Sequence, residues 1–328
     1  MALTEHKGDE IKEIPDVQSE ILKAASRGKL VVFVGAGVSR IIGCPSWKEF
    51  ALLQLKELRE KGAINYYEYS NLKMLDARKL LSICRKIYIE KNIPLGDMKS
   101  FLQGDGKLIE KYKVYEELYN FNVIYVTTNY DDYLDQIAQT PPKNPAATST
   151  TPPSIIPDDT AFPQRKVIYK KEDLLISKLD NGAVIHLHGS INDESNTIVT
   201  IVDYIKHYEY ESKPAVLLEE IFKSFTVLFI GYGLEEYEIL EFIVSKSQTG
   251  KKEIKHFMLY PVFKKEINLL TFQEKYYKDL GVHLIPYPID EGGYEHLAVV
   301  IQEWAKQIGP ISIPQGFIEK TKMIDEVI

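Results

Sequence analysis

The run Leu30-Val31-Val32-Phe33-Val34, followed at once by Gly35-Ala36-Gly37, constrains this chain more than any other segment. Five consecutive apolar residues offer no polar face to water, so a strand made from them must be covered on both sides. Such strands belong to parallel sheets with helices packed on each face. The two glycines stop the strand and allow a turn tight enough to approach a pyrophosphate closely. A plain strand-ending turn explains them equally well. Arg40 takes the place of the third glycine in a G-x-G-x-x-G pattern, and no Gly-Lys-Ser/Thr follows to make a Walker loop.

Periodicity along the rest of the chain agrees with an α/β protein. Residues 16–27 fit an amphipathic helix with Val17, Ile21, Leu22 and Ala25 on one side. Ser46-Trp47-Lys48-Glu49 has the form of a capping box opening a helix that carries Phe50, Leu53 and Leu58. Further helices are expected near 71–91 and 107–119, which makes 46–119 a helical insertion after the first strand-turn-helix unit. Strands are expected at Val123–Thr128, Lys166–Tyr169, Ala183–Leu187, Thr197–Ile201, Thr226–Gly231, Ile254–Tyr260 and Val282–Tyr287. Helical patterns at 214–224, 235–247, 263–279 and 294–307 separate most of the later ones. The expected architecture is a Rossmann-like, doubly wound, mainly parallel sheet over 28–308, preceded by an N-terminal helix within 1–27 and followed by a tail at 309–328. Between Thr140 and Pro163 lie seven of the sixteen prolines, among Thr, Ser and Ala, which reads as a Pro/Thr-rich loop.

Composition excludes several classes of function. A net charge of −7 over 328 residues gives no global attraction to nucleic acid or an anionic membrane. Two cysteines, Cys44 and Cys84, supply neither a disulfide framework nor a four-cysteine zinc site. The first ten residues are polar and mixed in charge, unlike a signal peptide. No apolar stretch approaches the roughly 20 residues that span a bilayer. The expected location is the reducing cytoplasm.

Four segments at expected strand ends carry the candidate chemistry: Gly35-Ala36-Gly37-Val38-Ser39, Thr128-Asn129-Tyr130-Asp131, His186-Leu187-His188-Gly189-Ser190 and Gly231-Tyr232-Gly233. Asn129 and Asp131 point the same way if the strand continues through them, and either one also suits a helix N-cap. His186 and His188 share a face in an extended chain. Each fits a buried, hydrogen-bonded histidine, and the pair fits a metal site less well, having no carboxylate at a matching spacing. His188, directly before Gly189 at a strand end, is the better candidate for catalysis. The tyrosines at 66, 67 and 69 read as a packing or partner surface, and Cys84 as buried and inert.

In this order, the four segments resemble the sirtuin-type NAD-binding domain, and more narrowly the sirtuin-like NAD hydrolases of bacterial antiphage defence. The resemblance runs over roughly 28–308. It implies that Gly35, Ala36, Gly37 and Ser39 hold the pyrophosphate of NAD+. Asn129 would lie beside the nicotinamide ribose, Asp131 near the carboxamide, and Gly231 and Gly233 against the adenosine half. It makes His188 the active-site histidine and leaves His186 a structural one. NAD+ is then the substrate, and no metal is implied.

Departures from the deacylating members matter too. Their zinc ribbon is missing, and where they continue Gly-Ile-Pro-Asp-Phe-Arg this chain has Gly43-Cys44-Pro45-Ser46-Trp47-Lys48. The expectation is therefore NAD+ hydrolysis to nicotinamide and ADP-ribose. The alternatives are a protein deacylase or ADP-ribosyltransferase, and a non-catalytic module sensing NAD+ or ADP-ribose. Because unrestrained NAD+ hydrolysis would kill the host, the resemblance also implies a homo-oligomer or a separate sensing partner, such as a ring ATPase or a nucleic-acid-guided protein.

Overall fold

A computed structural model describes residues 11–102, 113–139, 166–234, 236–247 and 256–312. The Pro/Thr-rich loop at 140–163 lies outside the described residues, as do 107–112 of one expected helix and most of the 309–328 tail.

The chain opens with α1 (Ser19–Ser26), β1 (Leu30–Val34) and α2 (Ala36–Ile41). Helices α3 (Trp47–Glu60), α4 (Tyr66–Leu72), α5 (Ala77–Glu90), α6 (Met98–Leu102) and α7 (Lys113–Tyr119) follow before the chain returns to the sheet as β2 (Ile124–Thr127). After α8 (Tyr133–Gln139) come β3 (Val167–Ile168), β4 (Val184–His186), α9 (Ile201–His207), α10 (Lys213–Ser224) and β5 (Thr226–Ile230). The last part alternates: α11 (Tyr237–Ser247), β6 (His256–Val262), α12 (Ile267–Asp279), β7 (Val282–Pro288) and α13 (His296–Ile308).

The strands form one sheet in the order β3-β4-β2-β1-β5-β6-β7, and every described pair is parallel. The first half of the chain winds outward from β1 in one direction and the second half in the other. This is the doubly wound Rossmann-like arrangement, with its switch point at the carboxyl ends of the central strands.

β1 shows why its sequence demanded this setting. Leu30, Val32 and Val34 pack into a core shared with Ile21 of α1, Leu118 of α7 and Trp304 of α13. Val31 and Phe33 point the other way, into a core with Leu218 and Ile221 of α10 and Ile239 of α11. Each face buries its alternate residues, so no position along the strand tolerates a polar side chain. A third cluster belongs to α3, α5 and α6, with Phe50, Leu55, Leu80 and Tyr88 at its centre. It reaches the α/β layers through Tyr130, Ile191 and Val199. The α3–α6 helices thereby dock over the carboxyl ends of the strands.

One local expectation needs correction. Thr197–Ile201 is not a strand. Thr200 caps α9 in a box with Asp203, its hydroxyl accepting the Asp203 amide at 3.2 Å while the Asp203 carboxylate accepts the Thr200 amide at 2.8 Å. A β-branched run was overridden by a capping signal inside it. In α3 the Ser46–Glu49 capping box forms, with Phe50 and Leu58 buried, but Leu53 faces outward at 37% exposure.

The loops after β1 and β5 touch backbone to backbone. Gly35 donates its amide to the Ile230 carbonyl at 2.9 Å, and Gly37 donates to the Gly231 carbonyl at 2.8 Å. A Cβ on Gly35 would overlap the Gly231 oxygen and Tyr232 Cα, and one on Gly37 would lie 2.8 Å from Gly231 Cα. Gly231 itself adopts φ +62°. Because neither neighbour can yield, Gly35→Ala is expected to destabilise the protein by about 3 kcal/mol. Gly62→Ala, at φ +69° with nothing within 4 Å, should cost about 1 kcal/mol through backbone strain alone. Urea unfolding of the two variants measures the difference; equal losses would show that the loop contact is not tight.

Candidate active site

The carboxyl ends of β1, β2 and β5 open into a cleft of about 600 Å³, covered by α3, α5 and α6. Ala36, Gly37, Ser39, Asn129, Asp131, His188, Gly231 and Gly233 all line it. Gly35 does not; it sits beneath the loop, in contact with Gly231. The stretch where the deacylase pattern was replaced also lines the cleft, from Cys44 to Lys48. There Trp47 stacks on Tyr130 with ring centres 5.5 Å apart, and Lys48 donates to the backbone carbonyls of Lys73 and Leu75.

Asn129, Ser39 and Asp131 form one buried network. The Asn129 side-chain amide donates to Ser39 Oγ at 2.8 Å, and the Ser39 hydroxyl lies 2.7 Å from Asp131 Oδ2, to which it donates. Tyr115 joins them, its hydroxyl 3.0 Å from Ser39 Oγ and 3.3 Å from Asp131 Oδ1. From the other side, the Asn129 backbone amide donates to Thr127 Oγ1 at 3.0 Å, and that hydroxyl donates to the Val34 carbonyl at 2.9 Å. Asn129 is thus fixed to both β1 and α2. Burial raises the Asp131 pKa, partly opposed by Ser39 and by the charge of His186.

The two histidines separate, because β4 ends at His186 and alternation no longer governs His188. His186 Nδ1 lies 2.9 Å from the Asn129 carbonyl oxygen, and its Nε2 lies 2.8 Å from Asp135 Oδ1. Both partners are acceptors, so only the doubly protonated ring satisfies both. Burial is the largest influence and disfavours that charge, yet Asp135, the Asn129 carbonyl and Asp131 together outweigh it and the pKa rises above 6.5. His188 instead points at tyrosines. Its Nε2 is 2.7 Å from the Tyr208 hydroxyl, its Nδ1 is 3.4 Å from the Tyr204 hydroxyl, and its ring meets the Tyr204 ring edge-on at 4.8 Å. Burial, with help from His207 and Arg78, holds its pKa well below 6.5, and the ring is neutral at pH 7.

Glu236 completes this end of the cleft. Its Oε2 lies 3.6 Å from His188 Nε2 and 4.0 Å from the Arg78 guanidinium and makes no hydrogen bond of good geometry among the described residues, while Tyr232 and Thr128 approach the carboxyl and favour its ionised form. Burial pushes its carboxyl up to about 7, although Arg78 pulls the other way. Arg78 is itself held by Glu238, at 2.9 and 3.0 Å to the two carboxylate oxygens, and lies over the Tyr204 ring.

Residues 123–285 match the sequence profile of the SIR2-like domain. The chain is 25% identical over 231 residues, 67% of its length, to Defense-associated sirtuin 2 of Bacillus subtilis. It is also 25% identical over 233 residues, 69% of this chain, to NAD(+) hydrolase ThsA of Cytobacillus dafuensis. These matches span only 19% and 40% of the two relatives.

The profile match to the SIR2-like domain begins after the helices at α3–α7 and so leaves out Gly35–Ser39, which the parallel sheet nonetheless brings beside Asn129 and Gly231. Sequence reasoning missed Glu236, Arg78, Tyr204 and Tyr208. For Glu236 a signal existed: it stands three residues past Gly233, just beyond a strand-end glycine turn. Arg78 gave none, being one charge among many on an amphipathic helix. Among the described residues no cluster of three or more His, Cys, Asp or Glu is placed to hold a metal ion, and no helix is long and apolar enough to cross a membrane.

The His186–Asp135 pair makes a prediction about stability. The folded-state pKa of His186 is raised above its unfolded value, so its contribution is complete below pH 6.5 and lost as pH climbs through the folded pKa. Urea midpoints of the wild type should therefore fall over that window. Asp135→Asn should be less stable below pH 6.5 and flatter above it. Parallel slopes in the two proteins would refute the charged pair.

Proposed function

We propose that this chain hydrolyses NAD+ to nicotinamide and ADP-ribose, and that it does so in antiphage defence. One observation carries the reading: Asn129 and His188, delivered by two different strand ends, line a single cleft at the switch point, beside the glycine turns after β1 and β5. The names of the two relatives, a defence-associated sirtuin and an NAD+ hydrolase, support the substrate and the setting.

The chemistry suits such a site. Nicotinamide leaves as a neutral molecule from a cationic ring, so its departure needs no general acid. The site has to hold both halves of NAD+, favour oxocarbenium-like charge at the ribose, and admit one water. Asn129, fixed through Ser39, Thr127 and His186, presents its side chain to the ribose and the water. His188, neutral, accepts a hydrogen bond from a ribose hydroxyl. Ala36, Gly37, Gly231 and Gly233 flank the dinucleotide, with Gly35 setting their spacing from below. Asp131 acts through Ser39 and Asn129. A deacylase reading has less support, since the two cysteines, both buried, cannot form the zinc ribbon.

Activity of this kind calls for restraint in the uninfected cell. We place it in the cytoplasm as a homo-oligomer, or under a separate sensor such as a ring ATPase or a nucleic-acid-guided protein, released on infection and ending in abortive infection.

The purified protein, freed of any cellular partner, should release nicotinamide from NAD+, with or without an acylated peptide or a protein acceptor, and cells expressing the chain should lose NAD+ on phage infection. Asn129→Ala and His188→Ala should each lower the rate by about 10²-fold or more. Turnover that depends on an acyl-peptide would replace hydrolysis with deacylation. Calorimetric binding of NAD+ without turnover would leave a sensor module.

A further inference from the structure

Buried polar groups in folded proteins find partners, and one that does not is either a cost or a tool. Among the described residues of this cleft two atoms are exceptions, Glu236 Oε2 and the Tyr232 hydroxyl, and of the two the carboxylate is the group that can take up a proton at neutral pH. Glu236 lines the cavity, and its buried Oε2 lies 3.6 Å from His188 Nε2 with no hydrogen bond of good geometry among the described residues. Leaving a buried carboxylate in this state costs free energy that a glutamine or leucine would not. The surroundings maintain it: Arg78 approaches to 4.0 Å but is committed to Glu238, so it tempers the charge without neutralising it by direct pairing. His188 cannot do the same work. Its Nε2 faces the Tyr208 hydroxyl at 2.7 Å, and its ring is too weakly basic to keep a proton at neutral pH.

We propose that Glu236 is the catalytic base of the hydrolysis, accepting the proton of the water that attacks the ribose. The assignment rests on the NAD+ hydrolase reading and names a residue for its second half. The C1′–N bond breaks and its electron pair stays on the nicotinamide nitrogen, neutralising the pyridinium. A water oxygen bonds to C1′ and its proton passes to Glu236 Oε2, and from there to solvent. Electrons and atoms balance without a further reactant. A carboxyl raised to about 7 is matched to this task, being ionised often enough to act and basic enough to take the proton.

The groups facing Glu236 are Arg78, Glu238, His188, Tyr204, Tyr208, Tyr232 and Tyr130. Burial drives all four tyrosines above their usual range and His188 lies well below 6.5, while His186, raised above 6.5, stands behind Asn129, so a limb near 7 is assigned by whether it disappears in Glu236→Gln.

The test is the pH dependence of kcat for nicotinamide release, from pH 5 to 9, in the wild type, Glu236→Gln and Glu236→Asp, with NAD+ affinity measured by calorimetry and folding checked by thermal melting. The wild type should rise through a limb near pH 7 to a plateau. Glu236→Gln should lose about 10²-fold in plateau kcat together with the limb, while its Kd for NAD+ stays within about threefold. Glu236→Asp should keep a limb at a reduced rate. A folded Glu236→Gln that retains the wild-type rate and limb overturns the assignment and leaves the hydrolase reading standing. An equal loss at every pH with the limb retained also overturns it, reducing Glu236 to a positioning residue. Absence of nicotinamide release from the wild type, both purified at every pH and in phage-infected cells expressing it, overturns the hydrolase reading and the assignment together.

Discussion

The contact between the loop after β1 and the loop after β5 is the constraint on which the site depends. Gly35 and Gly37 lie against Gly231 with no room for a Cβ, and two amides of the first loop are already bonded to carbonyls of the second strand and its turn. The floor of the cleft therefore has a fixed shape before any ligand arrives, which lowers the ordering cost of binding. The same contact sets the start of α2, and α2 places Ser39 where it meets Asn129 and Asp131 from another strand end. A glycine pair that reads as a phosphate cradle is first of all a device for packing two turns of the sheet together. Both uses need the same absent side chains, which is why the sequence alone could not separate them.

Legibility followed the range of the interaction. The doubly covered β1, the Ser46 capping box and most helices could be read because their causes lie within a few residues of each other. Thr197–Ile201 misled because β-branched residues and a capping threonine occupy the same five positions, and the cap wins once Asp203 reaches back. The site divided in the same way. Asn129 and His188 stood at readable strand ends. Glu236, Arg78 and the α9 tyrosines meet them only through the fold, and a buried carboxylate leaves no trace in composition.

The helices at α3–α6 complete what the sheet begins. Their core is separate from the two cores that sandwich the sheet, and it fastens to the strand ends through Tyr130, Ile191 and Val199. Tyr130 belongs to both sides at once: it stacks on Trp47 of α3, it donates its hydroxyl to the Ile198 carbonyl, and it sits between Asn129 and Asp131. The roof is therefore tied to the residues beneath it. Residues 44–48, within the stretch that departs from the deacylase pattern, supply part of this roof, so the departure reshapes the roof of the cleft rather than its glycine floor.

The electrostatics show how position overrides residue type. His186 and His188 stand one residue apart, yet their pKa values shift in opposite directions. The first is buried between a carbonyl and the Asp135 carboxylate, which favours the imidazolium. The second is buried among tyrosines, with Arg78 and His207 adding positive potential, which favours the neutral ring. The charged ring lies behind Asn129 as a pin, while the neutral one lines the cleft together with Glu236. A substrate that arrives as a pyridinium and reacts by building positive charge on its ribose would be repelled by an imidazolium at that place. A neutral imidazole next to a partly ionised carboxylate removes that repulsion and adds attraction, strongest where low dielectric leaves the fewest competing dipoles. Asp135 thus keeps the positive charge of His186 on the far side of Asn129, and the two-residue step along the chain is enough to put opposite electrostatics on either side of one amide.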